Sequence, residues 1–169
     1  MPERHEPQLS VKRLLEMWRR PHHVDAGQPP RIEKRFISIW HELIYICRRI
    51  HYWLYIRTDE NAARRYLPKL KRILKRLPEN SASIAAAEGF ALLHTLTGKA
   101  QLSLKYRKRE IRKLESLNTE IRGSVQSGRL SKKQAREILA GHGTARIKER
   151  KAIVKALRDV VEAKRRQAR

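Results

Sequence analysis

Residues 32–57 read IEKRFISIWHELIYICRRIHYWLYIR, and their apolar side chains recur at the spacing of an α-helix. One apolar stripe has alternating gaps of four and three residues, and a second stripe repeats every seven residues. The first stripe consists of Phe36, Trp40, Leu43, Cys47, Ile50 and Leu54, and the second of Ile32, Ile39, Ile46 and Trp53. Two neighbouring stripes give the predicted helix a wide apolar face, which is typical of a central helix in a bundle.

The rest of the chain has the same helical periodicity, and no segment carries the signals of a β-hairpin. The pattern predicts an all-α fold, a helical bundle of about four main helices plus two short ones, with a basic C-terminal helix. The predicted helices span 11–20, 32–57, 59–77, 82–122, 132–140 and 145–166, with a kink or restart at Pro68. The predicted N-caps are Ser10, Asp59, Asn80 or Ser81, Ser131 (with Gln134 completing a capping box) and Thr144.

The longest of these helices, 82–122, depends on a stripe that runs from Ala86 to Ile121. The stripe keeps its phase across Gly98, which favours one continuous helix ending at Gly123. A glycine inside a helix costs about 1 kcal/mol relative to alanine, so a break at Gly98 is the alternative.

The chain divides by composition into three segments. Residues 1–30 predict a short N-terminal helix and linker, residues 31–123 a helical bundle core, and residues 124–169 a basic C-terminal helical extension. The last segment holds fourteen basic and four acidic residues.

Charge is the main functional signal. The 169 residues include 40 Lys or Arg against 17 Asp or Glu, a formal net charge of +23. Such an excess on a folded body indicates a polyanionic partner, and nucleic-acid phosphates are the most general one.

Three groups of basic residues are the candidate nucleic-acid contacts. The first group lies on the predicted 59–77 helix, the second on the 82–122 helix and the third on the C-terminal extension. In that order they are Arg64, Arg65, Lys69, Lys71, Arg72, Lys75 and Arg76; Lys105, Lys108, Arg109 and Arg112; and Lys132, Lys133, Arg136, Lys148, Lys151, Lys155, Arg158, Lys164, Arg165 and Arg166. Neighbouring members of the same charged patterns are Arg107, Lys113, Arg129, Arg146, Arg150 and Arg169.

Other chemistry has less support in the sequence. The seven histidines form no metal-binding pair, and the single cysteine, Cys47, lies on the apolar stripe, so we expect no catalytic residue, metal or cofactor. Glu42 and Glu88 lie on apolar helices, and each is expected to pair with a residue of another helix, such as an arginine. Tyr52 and Tyr55 are candidates for stacking on unpaired bases. The segment 131–157 has a loose helix-turn-helix pattern.

The predicted function is non-catalytic nucleic-acid binding, most consistent with an RNA-binding accessory or structural subunit of a ribonucleoprotein complex. In charge and helical architecture the chain resembles the small basic helical subunits of ribonucleoprotein machines, which implies partner protein subunits. The alternatives are a duplex DNA-binding protein of a phage, plasmid or chromosome, and an interaction scaffold for an acidic protein or an anionic membrane surface. We expect a cytoplasmic protein without a transmembrane segment, since its most apolar window contains Arg48 and Arg49. Oligomeric state, including a homo-oligomer, is left open.

Overall fold

A computed structural model describes residues 39–77 and 83–169. Within these residues the chain is helical and has no strand, so the predicted all-α bundle is confirmed. The α-helices are α1 (Ile39–His51), α2 (Glu60–Arg64), α3 (Leu67–Lys75), α4 (Ile84–Leu96), α5 (Ala100–Gln126), α6 (Lys132–His142) and α7 (Thr144–Gln167). The predicted helix 11–20 and the predicted caps Ser10, Asn80 and Ser81 lie outside the described residues.

The apolar core forms where α1 and α3 meet α4. Helix α4 is rich in small residues, and Gly89 lies between α1 and α3. A Cβ atom added to Gly89 would stand 3.0 Å from Leu43 Cδ1 and 3.1 Å from Leu74 Cδ2. The small residues of α4 therefore let two neighbouring helices approach closely, and the leucines of those helices fill the space.

Helices α4, α5 and α7 lie side by side, with α5 in the middle and each neighbour antiparallel to it. Thr95 Oγ1 and Ser103 Oγ are 2.6 Å apart across the α4–α5 turn. Asn118 Nδ2 donates to the His142 carbonyl oxygen at 2.8 Å near one end of α7, and Lys164 Nζ donates to the Gly98 carbonyl oxygen at 3.2 Å near the other. The long helix α5 thus aligns α4 and α7 along most of its length.

The predicted single helix 82–122 is wrong, because it is two helices joined by a tight turn at Gly98. Gly98 has φ +74, and the N–H groups of Gly98 and Lys99 bond back to the carbonyl oxygens of Thr95 and His94 at 3.2 and 2.8 Å. This is a Schellman C-cap, which requires a residue in the left-handed conformation. The members of the stripe on the second half of α4 are half-buried or exposed, so the stripe does not follow one continuous buried face across the turn, and its unbroken phase does not indicate a single helix.

A second Schellman cap ends α5, and it is not at the predicted Gly123. Gly128 has φ +75, and Arg129 N–H bonds to the Ser124 carbonyl oxygen at 2.9 Å. Gly123 lies inside the helix with open space around it.

Several other predicted boundaries are confirmed. Asp59 caps α2 by accepting from the Ala62 N–H at 2.9 Å, and the chain restarts as α3 around Pro68. Ser131 and Gln134 form the reciprocal capping box, with distances of 3.1 and 2.9 Å.

Three more boundaries differ from the prediction. The N-cap of α7 is Gly143, and Thr144 is already the first helical residue. Ser83 caps α4 by accepting from the Ala86 N–H at 2.9 Å. Helix α1 gives way at Tyr52–Ile56 to a π-helical turn, in which Arg57 N–H bonds to the Tyr52 carbonyl oxygen at 2.9 Å.

Replacing Gly98 by alanine is expected to lower the free energy of unfolding by about 1 kcal/mol, since alanine is disfavoured at positive φ. Gly98→Asn should cost less, because asparagine tolerates the left-handed conformation better. Urea denaturation of the two variants measures the difference. Equal stability of Gly98→Ala and the unmodified protein would contradict the assigned cap.

Candidate nucleic-acid interface

The structure places the predicted contact residues on the outside of the bundle. Of the 21 residues, all are exposed except Lys69, which is half-buried and has its Nζ 3.4 Å from Glu42 Oε1. Two others pair with carboxylates at the surface, Arg64 with Glu60 at 2.6 Å and Lys151 with Glu115 at 2.7 Å. Most of the predicted cations are therefore accessible to a ligand.

Two of the three predicted groups meet on one surface. The contact between Lys151 of α7 and Glu115 of α5 shows that the exposed faces of these helices adjoin. Lys108 and Arg112 lie on the same side of α5 as Glu115, at helical spacings of seven and three residues. We call the combined set the α5/α7 surface: Lys105, Lys108 and Arg112 on α5, and Lys148, Lys151, Lys155 and Arg158 on α7.

The cations of α7 form a row parallel to its axis. Lys148, Lys151, Lys155 and Arg158 follow one another at gaps of three, four and three residues. At 1.5 Å per residue the row is about 15 Å long, and packed neighbouring helices lie about 8–10 Å apart. The α5/α7 surface therefore presents two roughly parallel rows of positive charge, of which the one on α5 ends at the exposed carboxylate of Glu115.

The remaining predicted contacts lie elsewhere. The first predicted group lies on α2 and α3 and forms a separate surface. Helix α3 packs against α1 and α4, whereas α7 packs against α5 and α6. Lys132, Lys133 and Arg136 are on the first turns of α6. Arg109 lies against the ring of Tyr106, with 5.9 Å between Cζ and the ring centre, towards the α4 side of α5.

Three arginines of the basic patterns are not surface residues at all. Arg107, a neighbouring member of the second basic group, has no exposed surface. Arg146 and Arg150 from the C-terminal pattern are also buried. These three cannot contact a nucleic acid, because each side chain is directed inward to carboxylates.

The carboxylates are Glu88 of α4 and Glu110 of α5, and with the three arginines they form a buried ion cluster. Glu88 accepts from Arg146 Nη2 at 2.9 Å and from Arg150 Nη2 at 2.8 Å. Glu110 accepts from Arg107 Nη1 at 2.7 Å, Arg146 Nη2 at 3.2 Å and Arg150 Nε at 2.9 Å. The expected interhelical partners are confirmed for both acids, since Glu88 pairs with two arginines of α7 and Glu42 with Lys69 of α3.

The positive charges in the cluster favour the ionised forms of Glu88 and Glu110. Burial alone raises the pKa of Glu88, but the charges of Arg150 and Arg146 lower it to about 2. Burial acts in the same direction on Glu110, and the charge of Arg107 lowers its pKa below the usual value. Since α4, α5 and α7 each contribute to the cluster, its ion pairs link α5 to α7 beneath the two rows.

The same burial makes Cys47 unreactive. Its thiol has no exposed surface, and burial together with the negative charge of Glu88 raises its pKa well above the usual value. A thiolate is the nucleophilic form, so this environment disfavours covalent chemistry.

The tyrosines proposed for base stacking face other groups of the protein. The Tyr52 hydroxyl accepts from Arg57 Nε at 2.7 Å, and the Tyr55 ring lies 5.9 Å from Cζ of the buried Arg107. Both rings are half-buried, which leaves only part of each face for a base.

The pH dependence of stability follows from His142 near the cluster. Burial and the positive charge of Arg146 lower the pKa of His142 from 6.5 to about 4, so the folded protein keeps the imidazole neutral. The unfolded chain takes up this proton at higher pH, so the free energy of unfolding should fall by up to about 3 kcal/mol as pH drops from 6.5 to 4. Glu88, whose folded pKa is about 2, extends the loss to lower pH. Urea denaturation between pH 7.5 and 4 measures the slope, and an equal slope in His142→Gln would contradict this assignment.

Among the residues that the structure describes, no group of three or more His, Cys, Asp or Glu side chains could hold a metal ion. No helix in the described ranges is long and apolar enough to cross a membrane. Comparison of the chain with protein-family models, with curated proteins and with solved structures finds no match.

Proposed function

We propose that the protein is a non-catalytic nucleic-acid-binding protein that contacts phosphates through the α5/α7 surface, and that RNA is its preferred ligand. The observation that carries the proposal is the meeting of two predicted basic groups on adjacent antiparallel helices, joined by the Lys151–Glu115 pair. Cations in one row would contact successive phosphates of one strand, and the second row would reach a neighbouring strand. Such contacts position a nucleic acid without reading its bases.

The size of the surface suits a short stretch of backbone. Phosphates of one strand recur about every 3.4 Å along a duplex, so a row of about 15 Å spans roughly four of them. Two rows held at a fixed separation favour a structured ligand in which two backbone segments lie close together. Folded RNA offers many such places, and a protein with this surface fits an accessory or structural role in a ribonucleoprotein complex.

The test compares two charge-reversal variants with the same change in net charge. The first, Lys108→Glu with Lys155→Glu and Arg158→Glu, alters both rows of the α5/α7 surface. The second, Lys71→Glu with Arg72→Glu and Arg76→Glu, alters the separate α3 surface. All six side chains are exposed, so neither variant should unfold the protein.

We expect the α5/α7 variant to bind a labelled RNA hairpin about 30–100-fold more weakly in fluorescence anisotropy, and the α3 variant to lose less than fivefold. The slope of log affinity against log salt should become shallower by about 2–3 in the α5/α7 variant only, because three phosphate contacts are removed. An equal loss of RNA affinity in both variants would contradict binding at the α5/α7 surface, because it would show that only the net charge of the protein matters. Tighter binding of a DNA duplex than of RNA at the same salt concentration would replace RNA by DNA as the ligand.

A further inference from the structure

A hollow of about 320 Å³ lies where the C-terminal part of α7 meets the start of α5. Its apolar lining includes Leu102, Val161 and Ala168, and its charged lining consists of Lys99, Lys164 and Arg165. No acidic residue lines it. The volume is at the lower end of the range of about 300–1,000 Å³ that is usual for ligand sites.

The apolar part of the hollow is open to solvent. Leu102 is 39% exposed, which makes it one of the few large aliphatic side chains left uncovered among the described residues. One of the surrounding cations is already positioned, because Lys164 Nζ donates to the Gly98 carbonyl oxygen at 3.2 Å. An aliphatic group that enters the hollow would therefore be close to three positive charges.

We infer that this hollow docks an acidic segment of a partner protein, with one aliphatic side chain inside and the flanking carboxylates paired with Lys99, Lys164 and Arg165. Charge complementarity requires an anionic occupant, and the apolar lining requires an aliphatic one. A nucleobase fits less well, since bases bind chiefly by stacking on aromatic rings and the lining has none. The inference does not depend on nucleic-acid binding at the α5/α7 surface.

The probe is the acetylated and amidated peptide Glu-Asp-Leu-Asp-Glu, titrated into the full-length protein while methyl signals are followed by NMR. We expect shifts at the methyl groups of Leu102, Val161 and Ala168. The uncharged peptide Gln-Asn-Leu-Asn-Gln should bind more weakly because it lacks the carboxylates. The peptide Glu-Asp-Gly-Asp-Glu should also bind more weakly, because it lacks the aliphatic side chain.

Matched variants identify the site on the protein. Arg165→Gln should weaken binding of the acidic peptide about three- to fivefold at low salt, and Leu102→Ser should reduce it further. The control is Arg166→Gln, which removes the next exposed cation but does not line the hollow. Arg165→Gln keeps the test independent of any loss of folding in Leu102→Ser.

Three results would overturn the inference. The acidic peptide shifts none of the lining methyl groups, or Arg165→Gln and Arg166→Gln weaken its binding equally, or uridine monophosphate shifts those methyl groups and the peptide does not. RNA binding by the α5/α7 surface is measured separately, so its failure leaves the peptide result unaffected.

Discussion

Replacing Glu110 by glutamine is expected to lower the free energy of unfolding by about 3–5 kcal/mol, the usual cost of breaking a buried ion pair. Glu110 has no exposed surface and accepts from Arg107, Arg146 and Arg150 at 2.7, 3.2 and 2.9 Å. Without its charge, the carboxylate that pairs with Arg107 is lost, and Arg146 keeps only its pair with Glu88. Arg150 keeps its pairs with Glu88 at 2.8 Å and with the half-exposed Glu149 at 2.9 Å. A loss of this size is a large part of the stability of an ordinary domain, so the urea midpoint of the variant should lie well below that of the unmodified protein.

The matched control is Glu115→Gln, which removes a carboxylate from the same helix at an exposed position. Its partner Lys151 is also exposed, and a surface pair of this kind contributes about 0–1 kcal/mol. Urea denaturation of both variants at pH 7 gives the comparison. Similar stabilities would mean that the buried ion cluster does not hold α5 and α7 together.

Gly143→Ala is expected to lower the free energy of unfolding by about 3 kcal/mol, because overpacking at a constrained site forces the backbone to move. Gly143 joins α6 to α7, and an added Cβ would collide with the Leu139 carbonyl oxygen. The obstacle is main chain of α6, so no side-chain rotation can relieve it. The predicted displacement separates α6 from the start of α7, where Asn118 Nδ2 bonds to the His142 carbonyl oxygen.

Gly123→Ala is the opposite case and serves as the control. Gly123 lies inside α5 with nothing within 4 Å of an added Cβ, so alanine should stabilise the protein by about 0.5–1 kcal/mol. The melting temperatures of the two variants, measured by thermal unfolding, give the comparison. A Gly143→Ala protein as stable as Gly123→Ala would contradict the predicted collision between the added Cβ and the Leu139 carbonyl oxygen.

The sequence predicts the helices better than it predicts where they turn. Asp59 and the pair of Ser131 and Gln134 carry local capping signals, and each forms the predicted cap. Gly98 and Gly123 look alike in the sequence, yet one ends a helix and the other does not. The difference arises from tertiary packing, since the turn at Gly98 lets α4 and α5 pack antiparallel against each other.

The candidate site shows the same division between local and long-range information. The exposure of the basic rows follows from helical periodicity, and the structure agrees with it. The burial of Arg146 and Arg150 could not be predicted from their own segment, because their partners Glu88 and Glu110 lie 36–62 residues away in the chain. The available signal was Glu88, an acid on an apolar helix that needed a cation from elsewhere.

The position of the buried ion cluster beneath the α5/α7 surface has a consequence for the forces between those helices. At 0.1 M salt the Debye length is about 10 Å, close to the separation of two packed helices, so the rows outside repel each other without full screening. Inside, where screening by salt is much weaker, the opposite charges of Glu110 and Arg150 draw the same two helices together. The buried pairs and the surface pair of Lys151 and Glu115 therefore offset the repulsion between the cations of the two helices.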